Sequence, residues 1–264
     1  MLQQLSKDEY QVLLQIPDLF SFPLVGTVVE KKQEGTAYVD SEAKPGIVFI
    51  IHKAGFSYLY HRDESLDCEQ LLEFFLNEGK LPVYFHLYDP PEQLINSSLK
   101  TEKLGVKIRS RIQLQYKSKT IDTIKYKPAI SITVSAIDAE NFDTLETFNL
   151  QLTNKFWSSK DDFLTNGFGF VLHNQENLPV AICYSAGISN TLAEVDIMTM
   201  PEYQGLGLAK FATAVFIEEG LKRNIITNWD CFEENIGSLK ISQAMGFAEI
   251  IKYSFLSLYN KKYE

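Results

Sequence analysis

One ten-residue stretch limits the architecture more than any other: Met200-Pro201-Glu202-Tyr203-Gln204-Gly205-Leu206-Gly207-Leu208-Ala209. Before it, LAEVDIMTM (192–200) reads as a strand. After it, Leu208, Phe211, Ala212, Val215 and Phe216 form one face of a helix that ends in Lys222 and Arg223. IITNWDCF (225–232) then reads as a buried strand. A strand that passes through two glycines into a helix lets the backbone approach a ligand and leaves the first helical N–H groups without internal partners. Those donors and the helix dipole suit a phosphate group. The two common nucleotide motifs are not written here: there is no Gly-Lys-Ser/Thr, and no third glycine with an acidic residue about 20 positions on.

The rest of the chain alternates strands and helices, which predicts an α/β layer. Leu5, Val12, Leu13, Ile16 and Leu19 recur at helical spacing until Pro17 disturbs the pattern. PGIVFIIHKAGFSYLY (45–60) reads as two strands joined at Lys53-Ala54-Gly55, and Leu71–Leu76 as a short helix stopped at Gly79. LPVYFHL (81–87) is a further strand, and Asp89-Pro90-Pro91-Glu92 opens a helix through Leu99. Residues 100–127 carry nine Lys or Arg against Glu102 and Asp122. Within them Ile108, Ser110, Ile112, Leu114 and Tyr116 share one strand face, and Arg109, Arg111, Gln113 and Gln115 the other. That second face reads as a solvated one, with a basic wall beside an anionic ligand as the sharper alternative. Residues 129–137 alternate like a strand, 140–165 read as one or two helices around Phe148, Leu152, Phe156 and Phe163, and 168–189 as a hairpin turning at Asn174–Asn177. Ile236–Met245 is helical up to Gly246, and 248–259 is a last strand. No fixed-period repeat is visible. Pro128 marks a boundary between an N-terminal domain (1–127) and a C-terminal one (128–264).

Composition narrows the function classes. A chain of 264 residues is about 1.8 average domains long and needs no covalent staple to hold a core. With 25 Lys plus Arg against 34 Asp plus Glu, the net charge of −9 argues against nucleic acid as the partner. Cys68, Cys183 and Cys231 form no C-x-x-C pair, and His52, His61, His86 and His173 are scattered, so no metal or redox motif is written. The N-terminus reads as neither a signal peptide nor a membrane span. A cytoplasmic protein, not membrane-bound, is expected.

Gln204-x-x-Gly207-x-Ala209 after a strand resembles the acyl-coenzyme A pyrophosphate loop of the GNAT acetyltransferases. Asn235-x-x-Ser238 and Gly246-Phe247 resemble that family's Asn-x-x-Ser/Ala helix closing on Gly-Phe. Trp229-Asp230-Cys231 before Asn235 is similar to a branch with an extra N-terminal domain. The likeness covers about residues 128–258. It implies an α/β (α+β mixed sheet) class, with the GNAT acyl-CoA fold in the C-terminal half and a smaller α/β domain before it. It further implies that strands 192–200 and 225–232 are parallel and splay around the pantetheine arm of acetyl-CoA, the co-substrate. On that likeness the backbone of Met198, Thr199 and Met200 pairs with the arm. Backbone N–H groups of Gly205, Leu206, Gly207, Leu208 and Ala209 hold the pyrophosphate, Gln204 belongs to the same cofactor site, and Asn235 and Ser238 touch the pantetheine or the phosphate side.

An amine is mostly ammonium at pH 7 and cannot attack a thioester until a proton leaves. Glu194 matches the glutamate base that many GNAT members carry on this strand, and alternation puts Asp196 on the same face. Ser242 stands where many relatives have a tyrosine general acid; its hydroxyl is far less acidic, and water can protonate the leaving thiolate instead. Cys231 suggests a ping-pong nucleophile, although a buried thiol without a nearby histidine is the plainer reading. The expected activity is N-acetyl transfer from acetyl-CoA to an amine by direct attack in a ternary complex. Phe56, Tyr58, Tyr60, Phe85 and Tyr88 of the N-terminal domain offer an acceptor wall or fill that domain's own core. A homodimer is compatible with this reading. The alternative is a catalytically impaired acyl-CoA-binding protein that regulates or interacts, which the missing tyrosine supports.

Overall fold

A computed structural model of the chain describes residues 2–62, 66–95, 104–148 and 155–260. In chain order the first elements are β1 (Gln3–Gln4), α1 (Pro23–Val29), β2 (Gly35–Val39), β3 (Ile47–His52), β4 (Phe56–His61), α2 (Cys68–Asn77), β5 (Tyr84–Tyr88), α3 (Glu92–Ile95) and β6 (Leu104–Gln115). There follow β7 (Thr133–Ala136), α4 (Lys160–Asn166), β8 (Gly169–His173), β9 (Pro179–Ser189), β10 (Leu192–Thr199), α5 (Leu208–Lys222), β11 (Ile226–Phe232), α6 (Ile236–Ala244) and β12 (Ala248–Asn260). The helix expected at the N-terminus is two 3₁₀ runs, Lys7–Gln15 and Pro17–Phe20, because Pro17 starts a new turn. The helix opened by Glu92 is described to Ile95; its expected continuation to Leu99, like Leu152, lies outside the described residues.

Two compact units result: Met1–Arg111 with Lys252–Glu264, and Ile112–Ile251. This division assigns Ile112–Lys127 to the second unit and the end of β12 to the first, whereas the expected boundary lay at residue 127. In the first unit β1 to β4 run antiparallel in succession, α2 crosses over, β5 lies parallel to β4, and β12 closes antiparallel on β5. Tyr38, Phe49, Phe75, Phe85, Leu87 and Leu256 fill its core. Phe85 and Tyr88 are buried there, and Tyr88 stacks on Phe22 at 4.3 Å. The strand face bearing Arg109 and Arg111 is not a solvated one. The Arg111 guanidinium lies 4.8 Å over the Phe255 ring, and Gln113 and Gln115 further along the strand are buried.

The second unit repeats the same plan. Strands β7 to β10 run antiparallel in succession, α5 crosses over, and β11 returns parallel to β10. The end of β6 lies along β11, where the Tyr116 N–H donates to the Thr227 carbonyl at 3.0 Å. Each unit is therefore closed by a strand from the other half of the sequence. Leu208, Ala212 and Phe216 of α5 cover β8 to β10, while Ala214 and Ile217 cover Trp229 and Cys231 of β11. Small Ala212 and Ala214 let this helix lie close to the sheet, and Phe216 stacks on Phe168 at 4.3 Å.

Candidate active site

The two parallel strands of the second unit part company early. β10 and β11 are paired at Leu192–Ile226, Ala193–Thr227 and Glu194–Asn228, and there the ladder stops, although β10 continues to Thr199 and β11 to Phe232. On the other edge β10 stays paired with β9 throughout. A β-bulge sits at the same level: Glu194 faces Gly187 and Val195 faces Ser185, so Ala186 is the extra residue. Bulges increase the local twist and bend the bulged strand, here β9, at the level where β10 and β11 part. The β11-facing edge of β10 from Val195 onward is left open.

On the helix face of this fork lies a cleft of about 690 Å³, lined by Ile197, Thr199, Tyr203 and Trp229 together with the glycine turn and the start of α6. Gly205 and Gly207 both take left-handed φ angles, +79° and +83°, and a Cβ on either would meet no protein atom within 4 Å. The two glycines are there for backbone conformation, and the space beside them is open. Gly207 is the N-cap of α5 and brings no side-chain acceptor, so the first N–H groups of the helix point at the cleft with no protein cap. Lys210 in the first turn also lines the cleft, and no acidic residue occupies that turn. Orphan donors, a dipole and an ammonium together fit a pyrophosphate.

Neighbouring hydrogen bonds fix the frame. Asn174, in the β8–β9 turn, accepts from the Leu178 N–H at 2.9 Å and donates to the Tyr203 hydroxyl at 2.8 Å, tying the turn after β10 to that hairpin. The Gln204 amide donates to the Thr199 carbonyl at 3.3 Å. Asn235 caps α6 by accepting from the Ser238 N–H at 3.1 Å, and the Ser238 hydroxyl accepts from the Trp229 indole N–H at 2.9 Å. Gln204, Gly205, Gly207, Leu208, Ala209, Asn235 and Ser238 all line the cleft, as does Thr199; Leu206 is exposed on the turn, Met198 belongs to the opposite face of β10, and Met200 follows the strand's end.

That opposite face carries the carboxylates. Glu194 is 8% exposed, and its Oε2 accepts from the Asn228 amide at 2.7 Å. The Tyr184 hydroxyl donates to Asp196 at 2.6 Å, and Lys155 pairs with the same carboxylate at 3.4 Å. Burial first, and the Asp196 charge second, push the Tyr184 phenol well above its usual range. Ser242 is fully buried and its hydroxyl donates to the Leu239 carbonyl at 3.0 Å, away from the cleft. Cys231 is buried beside Trp229 in the packing of α5 and α6. Sequence reasoning missed Asn228 and Tyr184, because a partner on a neighbouring strand leaves no local pattern.

The model of the GNAT acetyltransferase family matches residues 20–256. The chain belongs to this family. As a GNAT protein it is an acyltransferase, of a family that transfers acetyl groups from acetyl-CoA. It is similar to the uncharacterized N-acetyltransferase YdfB of Bacillus subtilis (strain 168), 27% identical over 261 residues and covering 96% of this chain and 97% of that protein. Among solved structures, a GCN5-related N-acetyltransferase-like protein from Streptococcus suis 89/1591 shares the fold at TM-score 0.69 and 20% identity, covering 96% of this chain and 99% of that one. A tandem GNAT protein from the clavulanic acid biosynthesis pathway aligns at TM-score 0.59 and 10% identity over 98% of both chains. The GNAT fold thus accounts for the parted strands. Among the described residues no three His, Cys, Asp or Glu side chains converge on a metal site, and no helix is long and apolar enough to cross a membrane.

Proposed function

We propose that this protein moves an acetyl group from acetyl-CoA to an amine by direct attack in a ternary complex. The observation that carries the reading is the fork itself: an anion-binding turn on one face, a carboxylate on the other, and a gap between β10 and β11 that begins at Glu194. The pyrophosphate would lie against Gly205–Ala209 and Lys210. The pantetheine arm would run along the open edge of β10 at Met198–Met200, past Asn235 and Ser238, and deliver the thioester through the gap. Glu194 would take the proton from the ammonium, directly or through water, with Asp196 holding positive charge nearby. The amine nitrogen then bonds to the thioester carbon, whose oxygen becomes an oxyanion beside the edge of β10 that β11 leaves unpaired. Collapse breaks the carbon–sulfur bond; the nitrogen gives its second proton to water, and water returns one to the coenzyme A thiolate, since the Ser242 hydroxyl is turned to Leu239.

The buried serine also favours a second reading, an acyl-CoA-binding protein without turnover. Both readings meet in one assay: thiol release from acetyl-CoA with spermidine, a lysine-bearing peptide and an aminoglycoside as acceptors. Acetylation of any of them supports the enzyme. Tight coenzyme A binding with no acetylated product across a wider amine panel overturns it in favour of the second reading.

A further inference from the structure

Behind Glu194 lies a line of three polar side chains that the acetyl-transfer chemistry does not itself require. The Lys117 ammonium donates to Gln115 Oε1; the Gln115 amide nitrogen faces Asn228 Oδ1 at 3.4 Å; the Asn228 amide nitrogen donates to Glu194 Oε2 at 2.7 Å. Gln115 and Glu194 are buried and Asn228 fully so. The backbone bond from Tyr116 to Thr227 holds the end of β6 against β11, so the two amides stay opposite one another.

We infer that Lys117, Gln115 and Asn228 are positioning residues that aim one N–H donor at Glu194; the inference rests on Glu194 being the base. An ammonium has donors only, and an ionised carboxylate has acceptors only. Between such ends two amides have a single consistent arrangement. Lys117 turns the Gln115 oxygen outward, which leaves the Gln115 nitrogen for Asn228. The Asn228 oxygen is thereby taken, and its nitrogen is left for Glu194. Reversing either amide would set like groups face to face in a buried place, where an unmet polar group is costly. A surface lysine thus fixes the orientation of a buried carboxylate two strands away. The other charged groups on this face are Asp196, already bonded to Tyr184 and paired with Lys155, and Asp230 on β11. Hydrogen bonds to a charged acceptor are the strong ones, so losing the aimed donor should lower turnover by about 10- to 100-fold.

The test uses the full chain labelled with ¹⁵N-asparagine. The Asn228 side-chain amide signal, identified by its loss in Asn228→Ser or by triple-resonance assignment, should move or broaden in Lys117→Met and return in Lys117→Arg. Lys117 is exposed, so neither replacement threatens folding. An Asn228 signal unchanged in Lys117→Met overturns the inference. With spermidine or another acetylated probe amine, Lys117→Met should lower kcat and leave KM for acetyl-CoA alone, and should add nothing in a Glu194→Gln background. A full additional loss in that background also overturns it. Conversely, an amide that responds as expected while Glu194→Gln keeps full activity removes Glu194 as base and leaves the positioning line standing.

Discussion

Glu194 and Asn228 meet at 2.7 Å on the last rung at which β10 and β11 are paired. A buried carboxylate needs a partner, and the amide supplies one without neutralising it. Because the strands separate beyond this rung, the same carboxylate borders the gap through which an acyl thioester would arrive. Placement and protection of the charge therefore come from one feature of the sheet.

If Glu194 removes the proton from the attacking amine, Glu194→Gln should lower kcat/KM by about 10²–10⁴ at neutral pH. The loss should shrink at high pH, where free amine is abundant. The glutamine oxygen can still accept from Asn228, so the fold should survive. A drop below about threefold at every pH moves the role to Asp196 or to water.

Gly207→Glu tests the turn. The residue sits at φ +83° and an added Cβ would meet nothing within 4 Å, so the substitution extends into open space rather than protein. Left-handed backbone costs a side chain about 1–2 kcal/mol, and the added carboxylate repels a pyrophosphate. Coenzyme A affinity should fall at least about tenfold by calorimetry, while Gly207→Ala should show the strain with far less loss of binding. Equal affinities for Gly207→Glu and the parent, both folded, would remove this turn from the cofactor site.

Some of this was legible in the chain and some was not, for physical reasons. Gly205 and Gly207 announce the turn because a left-handed backbone favours glycine. The Asn174 hairpin is equally readable, since its side chain makes the turn's own hydrogen bonds. Periodicity assigns residues to a face but does not say which strand lies alongside. Gln113 and Gln115 consequently read as solvent-facing, although both are buried and Gln115 faces Asn228 of β11. The plan repeated in the two units escapes the sequence for a related reason. Strand order recurs, whereas the glycine turn after β10 has no counterpart in Arg62–Asp67 after β4. The bond between Glu194 and Asn228 spans 34 residues and follows only from parallel register.

Ser238→Ala should destabilise the start of α6. The Trp229 indole N–H is buried and donates to the Ser238 hydroxyl at 2.9 Å, and alanine leaves it without that acceptor. The expected cost is about 1–3 kcal/mol by denaturant unfolding, accompanied by a change in tryptophan fluorescence. Ser238→Thr keeps the hydroxyl and should retain most of the stability. An alanine variant as stable as the parent would show that the indole finds another acceptor.

Two histidines of the first unit should make the protein sensitive to mild acid. In His52 the Ala54 N–H donates to Nδ1 at 3.0 Å, and Nε2 faces the Gln33 side-chain oxygen at 3.2 Å. A proton on Nδ1 would point at another N–H, and the ring is fully buried, so burial above all brings its pKa down to about 3. In His86, bonded to the Ser257 hydroxyl at 2.9 Å, burial first and then the Arg111 and Arg109 charges bring it down to about 4. An unfolded histidine titrates near 6.5. Below that pH the unfolded chain takes up protons that the folded rings refuse, so the unfolded state gains. Stability is therefore complete above about pH 6.5 and falls as the pH drops, towards 4 for His86 and towards 3 for His52. Each pH unit weighs about 1.4 kcal/mol per ring, or about 2 kcal/mol for each ring by pH 5. Denaturant unfolding of the parent and of His86→Gln at pH 7.5 and pH 5 measures it. The replacement should make the protein less stable at pH 7.5 yet shrink its decline to pH 5 by about 2 kcal/mol; a decline as steep as the parent's would mean that His86 takes up its proton in the folded state.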